Sequence, residues 1–357
     1  MSSLKSWLRR SFTENRARAE RRISPGLEAI HYVGSDEEQN TIKDISATGI
    51  FLYTDRRWPS GTMIPLTLKS KHLSREGLDL EVSIQAKAVR WSNEGIGLSF
   101  VLPEGMELRL WKSELESPAE QTEPEEILRE FRVARALGFL HRICPSAWQQ
   151  IDLLFREGLS NVRIASAVEI ALHAEKMIDR EPNSEKLHAP SILVMRIISD
   201  GSWAESDANQ KLWAGLLATS CTLRGDDESN LSFVEILSQL ANIHTRIFIA
   251  ACTQAKKTVS GPDSITALPV TCTAEELAQI AGAHDLVKID RNLTQLCDLG
   301  LLAERAKTRF FSYNEDASIT PTTLGLQMYK ICQGHRGSLR AFYASAAENA
   351  PVLATNQ

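Results

Sequence analysis

No run of apolar residues in this 357-residue chain approaches the roughly eighteen needed to span a bilayer as a helix. The basic N-terminus also lacks the continuous apolar stretch of a secretion signal, so a soluble, cytoplasmic protein is expected. Six cysteines, Cys144, Cys221, Cys252, Cys272, Cys297 and Cys332, are scattered and form no Cys-x-x-Cys. That argues against a disulfide framework and a structural metal, and the mostly apolar, helix-like contexts suit buried thiols in a reducing compartment.

Catalytic signatures are missing too. There is no Gly-x-x-x-x-Gly-Lys-(Ser/Thr) loop, no Gly-x-Ser-x-Gly elbow and no His-Glu-x-x-His, and the eight histidines fall at unrelated spacings. The chain is therefore read as a non-enzyme with no catalytic residues. The acidic cluster Asp226-Asp-Glu228 reads as a solvated loop, because three consecutive side chains do not easily converge on one cation.

What remains is ordinary in bulk and uneven in detail. The length predicts two or three domains, and 43% apolar with 24% charged residues is the composition of a soluble globular protein. The net charge of -5 conceals a basic end: residues 1–22 carry Lys5, Arg9, Arg10, Arg16, Arg18, Arg21 and Arg22 against only Glu14 and Glu20. The rest of the chain is accordingly acidic, which disfavours nucleic acid as a partner there. At the extreme N-terminus Leu4, Trp7, Leu8 and Phe12 share one helical face, with Lys5, Arg9 and Arg10 elsewhere. Such an arm suits either peripheral membrane contact or packing over its own protein.

The stretch with most chemical content is Thr41-Ile-Lys-Asp-Ile-Ser-Ala-Thr-Gly-Ile-Phe-Leu52. An Asp-x-Ser-x-x-Gly turn between apolar runs offers Asp44 as a carboxylate, Ser46 as a hydroxyl and Gly49 as open backbone. Upstream lies Arg16-Ala-Arg-Ala-Glu-Arg-Arg22. A guanidinium grips phosphate or a guanine edge bidentately, a carboxylate accepts from the N1 and N2 donors of guanine, and a glycine admits a ring. Together they read as a guanine-nucleotide site. Without a ligand, Asp44 and Ser46 would bond their own turn and Gly49 would supply a positive φ.

These residues resemble the PilZ domain, the bacterial receptor module for cyclic di-GMP, whose signature is Arg-x-x-x-Arg followed by (Asp/Asn)-x-Ser-x-x-Gly on a small antiparallel barrel. Asp44, Ser46 and Gly49 match the second half. The strand series behind it also fits: Met63-Ile-Pro-Leu-Thr-Leu68, Leu80 to Trp91, and the closing Gly95-Ile-Gly-Leu-Ser-Phe100. The first half departs, since Gly26 follows Arg21-Arg22-Ile-Ser-Pro where the last arginine is expected. Either Arg18-Ala-Glu-Arg-Arg22 restores the spacing four residues early, or Arg21 and Arg22 hold the ligand alone. The resemblance implies cyclic di-GMP as the ligand, gripped by Arg18, Arg21, Arg22, Asp44 and Ser46, with Gly49 opening the surface.

Beyond this part, Ser113 to Glu126 holds six carboxylates, two prolines and no basic residue, the composition of a self-repelling linker. Its end, Glu123-Pro-Glu-Glu126, suits a helix start. From Ile127 the apolar period changes to about 3.6, as in Ile127-Leu128-Phe131-Ala134-Leu137-Leu140 and Val162 to Leu172. Further helices are expected at Pro190–Ile198, Ala208–Ala218, Ser232–Thr253, Ala274–Ala281 and Leu286–Leu299. Asp200-Gly-Ser-Trp-Ala-Glu-Ser-Asp207, Leu212-Trp-Ala-Gly-Leu-Leu217 and Phe233 to Leu240 resemble the Abi-alpha family, a helical domain of abortive-infection systems that brings no catalytic residues. From Thr271 to Ile331 the order is a helix capped by Thr273-Ala-Glu-Glu276, a second helix to Gly300, an alternating Arg309-Phe-Phe-Ser-Tyr313 and a last helix opened by Thr320 to Gly325. It resembles a winged helix. Eight acidic against six basic residues there favour protein contact or dimerisation over DNA.

The expected fold is a multidomain α+β chain. Residues 1–15 form a basic amphipathic arm, 16–112 a PilZ-like antiparallel β-barrel and 113–126 an acidic linker. An all-α helical domain over 127–260, a winged-helix-like module over 261–335 and a tail over 336–357 follow. The expected function is a cyclic di-GMP receptor in which ligand orders the arm and changes an interaction with a protein partner made by the helical half. The competing expectation is a ligand-free scaffold attached to a phage-defence or stress-response module.

Overall fold

Alternating apolar and polar residues build six antiparallel strands: β1 Leu27–Val33, β2 Asp36–Ser46, β3 Gly49–Tyr53, β4 Met63–Ser70, β5 Glu81–Trp91 and β6 Gly95–Phe100. They close into a barrel in the order β1-β2-β3-β6-β5-β4, which leaves no long free edge. The computed structural model describes residues 27–33, 36–46, 49–70, 81–101, 124–259, 265–303 and 316–348. The arm, Arg18, Arg21, Arg22, Gly26, the first eleven linker positions and Arg309 to Tyr313 lie outside them.

Inside the barrel, Leu27, Ala29, Ile42, Ile45, Ile50, Leu52, Ile64, Leu66, Leu68, Val82, Ala86, Ile96 and Leu98 form one buried cluster. Each fully buried Leu or Ile is worth roughly 1.5–3 kcal/mol, which fixes register because a one-residue slip would turn the set outward. Helix α1, Pro124–Ile143, starts at the expected proline and adds Leu128, Phe131 and Ala134 to the same cluster. Phe131 meets Phe100 edge-on at 5.1 Å. β5 pairs with β4 along this stretch but with β6 only from Ala86 onward, so the Glu81 and Ser83 carbonyls have no strand on the β6 side. Arg132 and Arg135 of α1 donate to the carbonyls of Glu81 and Ser83, at 2.6 and 2.7 Å. The helix thus stands in for a missing strand along that stretch. Of the two compact units, Met1–Gly138 and Phe139–Gln357, the first therefore includes most of α1 rather than ending at the acidic segment.

The second unit is helical: α2 Trp148–Leu153, α3 Asn161–Ile178, α4 Ser191–Gly201, α5 Asp207–Ser220, α6 Leu231–Leu237 and α7 Asn242–Gln254 come first. Then follow α8 Ala274–Ala281, α9 Leu286–Asp298, α10 Thr323–Cys332 and α11 Leu339–Glu348. Trp213 and Phe248, 2% and 0% exposed, anchor its core. α5 packs against both α3 and α10. The expected single helix over Ser232–Thr253 is two. The chain breaks after Ser238, buries Leu240, and restarts where the Ala241 amide donates to His244 Nδ1 at 2.9 Å. Residues read as a tail likewise include α11, whose Tyr343 is buried and donates its hydroxyl to the Leu326 carbonyl at 3.1 Å.

Short strands interrupt the helices. β7 Lys257–Val259 pairs with β8 Ile265–Ala267, and β9 Thr271–Cys272 pairs antiparallel with β10 Ala317–Ser318. Thr273 and Glu276 cap α8 reciprocally, as their spacing predicts: the Glu276 amide donates to Thr273 Oγ1 at 3.2 Å and the Thr273 amide to the Glu276 carboxylate at 2.9 Å. No helix among the described residues is long and apolar enough to cross a membrane.

Candidate functional site

Asp44 and Ser46 sit at the end of β2, two residues apart and on the same face, because side chains alternate along a strand. Neighbouring Ile42 and Ile45 belong to the interior cluster. That would be impossible with strict alternation, and a bulge between Ile42 and Asp44 resolves it by inserting Lys43. The extra residue turns Asp44 outward while keeping Ile42 and Ile45 in the core. Register then continues the outer row across the sheet: Asp44 opposes Phe51 on β3, Phe51 opposes Gly97 on β6, and Gly97 opposes Arg90 on β5. A parallel row runs Ser46, Gly49, Ser99, Lys87.

The polar atoms of this face differ in how far they are already used. Ser46 donates its hydroxyl to the Gly49 carbonyl at 3.2 Å, the local bond that turn chemistry alone accounts for. Asp44 is half-buried, and among the described residues its carboxylate has no hydrogen-bond or ion-pair partner. Turn chemistry therefore leaves Asp44 unexplained. Lys43 is engaged elsewhere: it pairs with Glu94 and lies 5.3 Å from the Phe51 ring centre and 5.5 Å from that of Tyr53. The hydrogen bond it donates to Glu94 raises its pKa above the usual lysine value.

Gly49 has no positive φ, so the turn does not demand a glycine there. A Cβ at this position would stand 2.4 Å from the Leu98 carbonyl oxygen, a backbone clash with no flexible side chain to yield. Close approach of β3 to β6 requires the glycine, and the flat surface it leaves is a consequence. Gly97 is bare for a related reason. A Cβ on it would lie 3.0 Å from Cγ and 3.1 Å from Nε of Arg90, whose side chain is laid across β6.

One end of the barrel carries a polar plug that the sequence did not announce. His31 is 2% exposed, with Asn40 Nδ2 donating to its Nδ1 at 2.9 Å and a Glu38 carboxylate oxygen 3.1 Å from its Nε2. Trp58 meets the imidazole edge-on at 5.0 Å, and the Trp91 indole N–H donates to the Trp58 carbonyl at 2.8 Å. Burial pushes the His31 pKa down, against the pull of Glu38. These residues close the core and present no open face.

In the helical unit, among the described residues, the half-buried His141 lies 3.2 Å from the buried Asp152, which Arg156 also approaches at 3.5 Å. Asp226 and Asp227 answer to Arg224 at 2.8 Å and to the Ser229 amide at 2.9 Å, as a solvated loop would. Among the described residues no group of three His, Cys, Asp or Glu could hold a metal ion. Cys144, Cys221, Cys252, Cys272 and Cys332 are buried, and burial raises the Cys221 and Cys332 thiols to about 12.

Comparison with known families agrees with this division. Residues 15–113 match the PilZ domain, and residues 164–332 match the family described as Abortive infection alpha. No curated protein matches the chain.

Proposed function

From a chain that carries a PilZ domain ahead of an abortive infection alpha domain, we propose a receptor for cyclic di-GMP whose binding state governs an interaction made by the helical unit. The PilZ family is one of ligand-binding, non-enzymatic receptors for this dinucleotide, and the proposal extends that to this chain. The observation that carries it is the Asp44 carboxylate, without a partner among the described residues and turned outward by a bulge beside Ser46 and Gly49. In this reading Asp44 accepts from the guanine N1 and N2 donors, Ser46 supports it, and Arg18, Arg21 and Arg22 grip phosphate or the other base edge. Asp44 is half-buried, so a hydrogen bond to a neutral donor is charge-assisted and costs less competing hydration than on an open surface.

Output through the helical unit is a contact with a protein, either a different partner or a second copy. The order β9, α8, α9, β10, α10, with β9 and β10 paired, supports a winged-helix-like module for that contact. Exposed Glu275 and Glu276 on α8 and the mixed Lys288, Arg291 and Asp298 on α9 suit a protein better than a phosphate backbone. Ligand must favour one arrangement by a differential free energy, and contacts of the basic arm with the bound dinucleotide supply it. The protein acts without catalysis, in the cytoplasm where the dinucleotide is made.

Titration calorimetry of the full chain with cyclic di-GMP, with GTP as the specificity control, tests the receptor. Binding that Asp44→Ala removes and GTP does not imitate is the expected result. No heat from a folded protein would favour the second reading, a ligand-free scaffold for a defence module, which rests on Gly26 and on the match to the abortive infection family. Phage plating on cells with and without the intact gene separates that reading, since identical plating counts against defence.

A further inference from the structure

The geometry points to Arg90 as a ligand-gripping residue of the barrel, taking the place of the arginine that Gly26 leaves missing. The inference rests on the receptor reading above and adds a residue that lies far from the arginine-rich segment in sequence. Strict alternation along β5 puts Val82, Ala86 and Ala88 inside and would send Arg90 inside with them. A bulge between Ala88 and Arg90 prevents this, and Arg90 faces out opposite Gly97 while Trp91 packs against the core. The row that begins at one bulge with Asp44 thus ends at a second bulge with Arg90. Two bulges that re-aim the two charged ends of one row point to a shared ligand, because bulges gather where a side chain must be redirected.

Three inter-strand spacings separate the row's ends, about 14 Å in all. Arg90 covers one of them by lying over Gly97, the residue that opposes Phe51 on β3. The remaining two spacings, about 10 Å, suit a guanine held at its donor edge by Asp44 with an attached phosphate reaching Arg90. Among the described residues Arg90 has no hydrogen-bond or ion-pair partner, unlike Lys43, which Glu94 occupies. Lys87, the cation at the end of the neighbouring row, leans instead toward Gly61, whose added Cβ would lie 3.8 Å from its Cε. Among the described residues, Arg90 is therefore a cation without a partner that the sheet directs to this face. Gly97 acts through it, as a positioning residue that leaves room for the guanidinium to lie flat.

The test is calorimetric titration of the full chain with cyclic di-GMP for wild type, Asp44→Ala, Arg90→Ala, Arg90→Lys, Gly97→Val and the double variant Arg90→Ala/Gly97→Val, with thermal melting to confirm folding. Loss of a charge-assisted bidentate contact predicts about 10- to 100-fold weaker binding for Arg90→Ala, and only partial recovery in Arg90→Lys because a lysine lacks the planar fork. Gly97→Val is expected to weaken binding by a similar factor, and the double variant no further, since both changes remove the same contact. Arg90→Ala within twofold of wild type, while Asp44→Ala abolishes binding, would overturn this assignment and leave the receptor intact. Losses that multiply in the double variant would overturn the positioning role of Gly97. Wild type that binds nothing would remove the receptor reading and this inference with it.

Discussion

The barrel and the helical unit use their polar residues in opposite ways. On the barrel, alternation sends every second side chain outward, so two bulges suffice to line up Asp44, Phe51, Gly97 and Arg90 in one outer row. In the helical unit, polar side chains turn to backbone carbonyls: Ser220 donates to the Leu216 carbonyl at 2.7 Å, and Arg336 donates to the Ala218 carbonyl at the end of α5, also at 2.7 Å. On this contrast rest the proposed small-molecule site of the barrel and the proposed protein contact of the helical unit. A sheet face exposes neighbouring strands to one ligand, whereas helix packing spends its polar atoms on capping and on crossing points.

The largest expected effect falls on the helical core. Trp213→Ala, at 2% exposure, should cost about 3–5 kcal/mol and lower the melting temperature sharply, yet leave cyclic di-GMP affinity unchanged. Affinity that collapses with it would show that the site is not confined to the barrel. Next comes Asp44→Asn, which keeps shape but loses charge, and should weaken dinucleotide binding by about 1.5–3 kcal/mol with the fold intact. Binding within twofold of wild type would return Asp44 to turn chemistry. Gly49→Ala forces a Cβ onto the Leu98 carbonyl and is expected to destabilise the barrel by about 1–3 kcal/mol, read by denaturant unfolding. A neutral result would mean that β3 and β6 part easily.

The smallest effect is on pH dependence. Burial depresses the pKa of His31 in the barrel and of His173, His244 and His335 in the helical unit. The unfolded chain then takes up protons first as pH falls, so stability is full above an unfolded histidine pKa of about 6.5 and is lost below it. Hydrogen exchange between pH 7 and pH 5 should loosen the helical unit, with three such histidines, more than the barrel, with one. Equal loosening would show that His31 dominates.

Much of this was legible in the sequence, for reasons that differ by element. The six strands follow from alternation, α1 from the proline at its start, and the α8 cap from Thr273 and Glu276, all local signals. The break at Ser238 was not legible, because a helix period continues across it and only tertiary burial of Leu240 ends α6. The Asp44 half of the site was visible as a motif. Arg90 was hidden, since a bulge is set by pairing partners and the alternation of β5 read alone places that residue in the core. The same holds for His31, whose partners Asn40 and Trp58 come from other parts of the barrel.

The most direct test is hydrogen exchange by mass spectrometry on the full chain, with and without saturating cyclic di-GMP. The account predicts added protection in the peptides covering residues 41–53 and 86–98 and in residues 1–26, with the strands around Met63–Ser70 unchanged. Protection confined to other segments, or none anywhere under conditions where the ligand is shown to bind, would contradict a site on the outer face between Asp44 and Arg90.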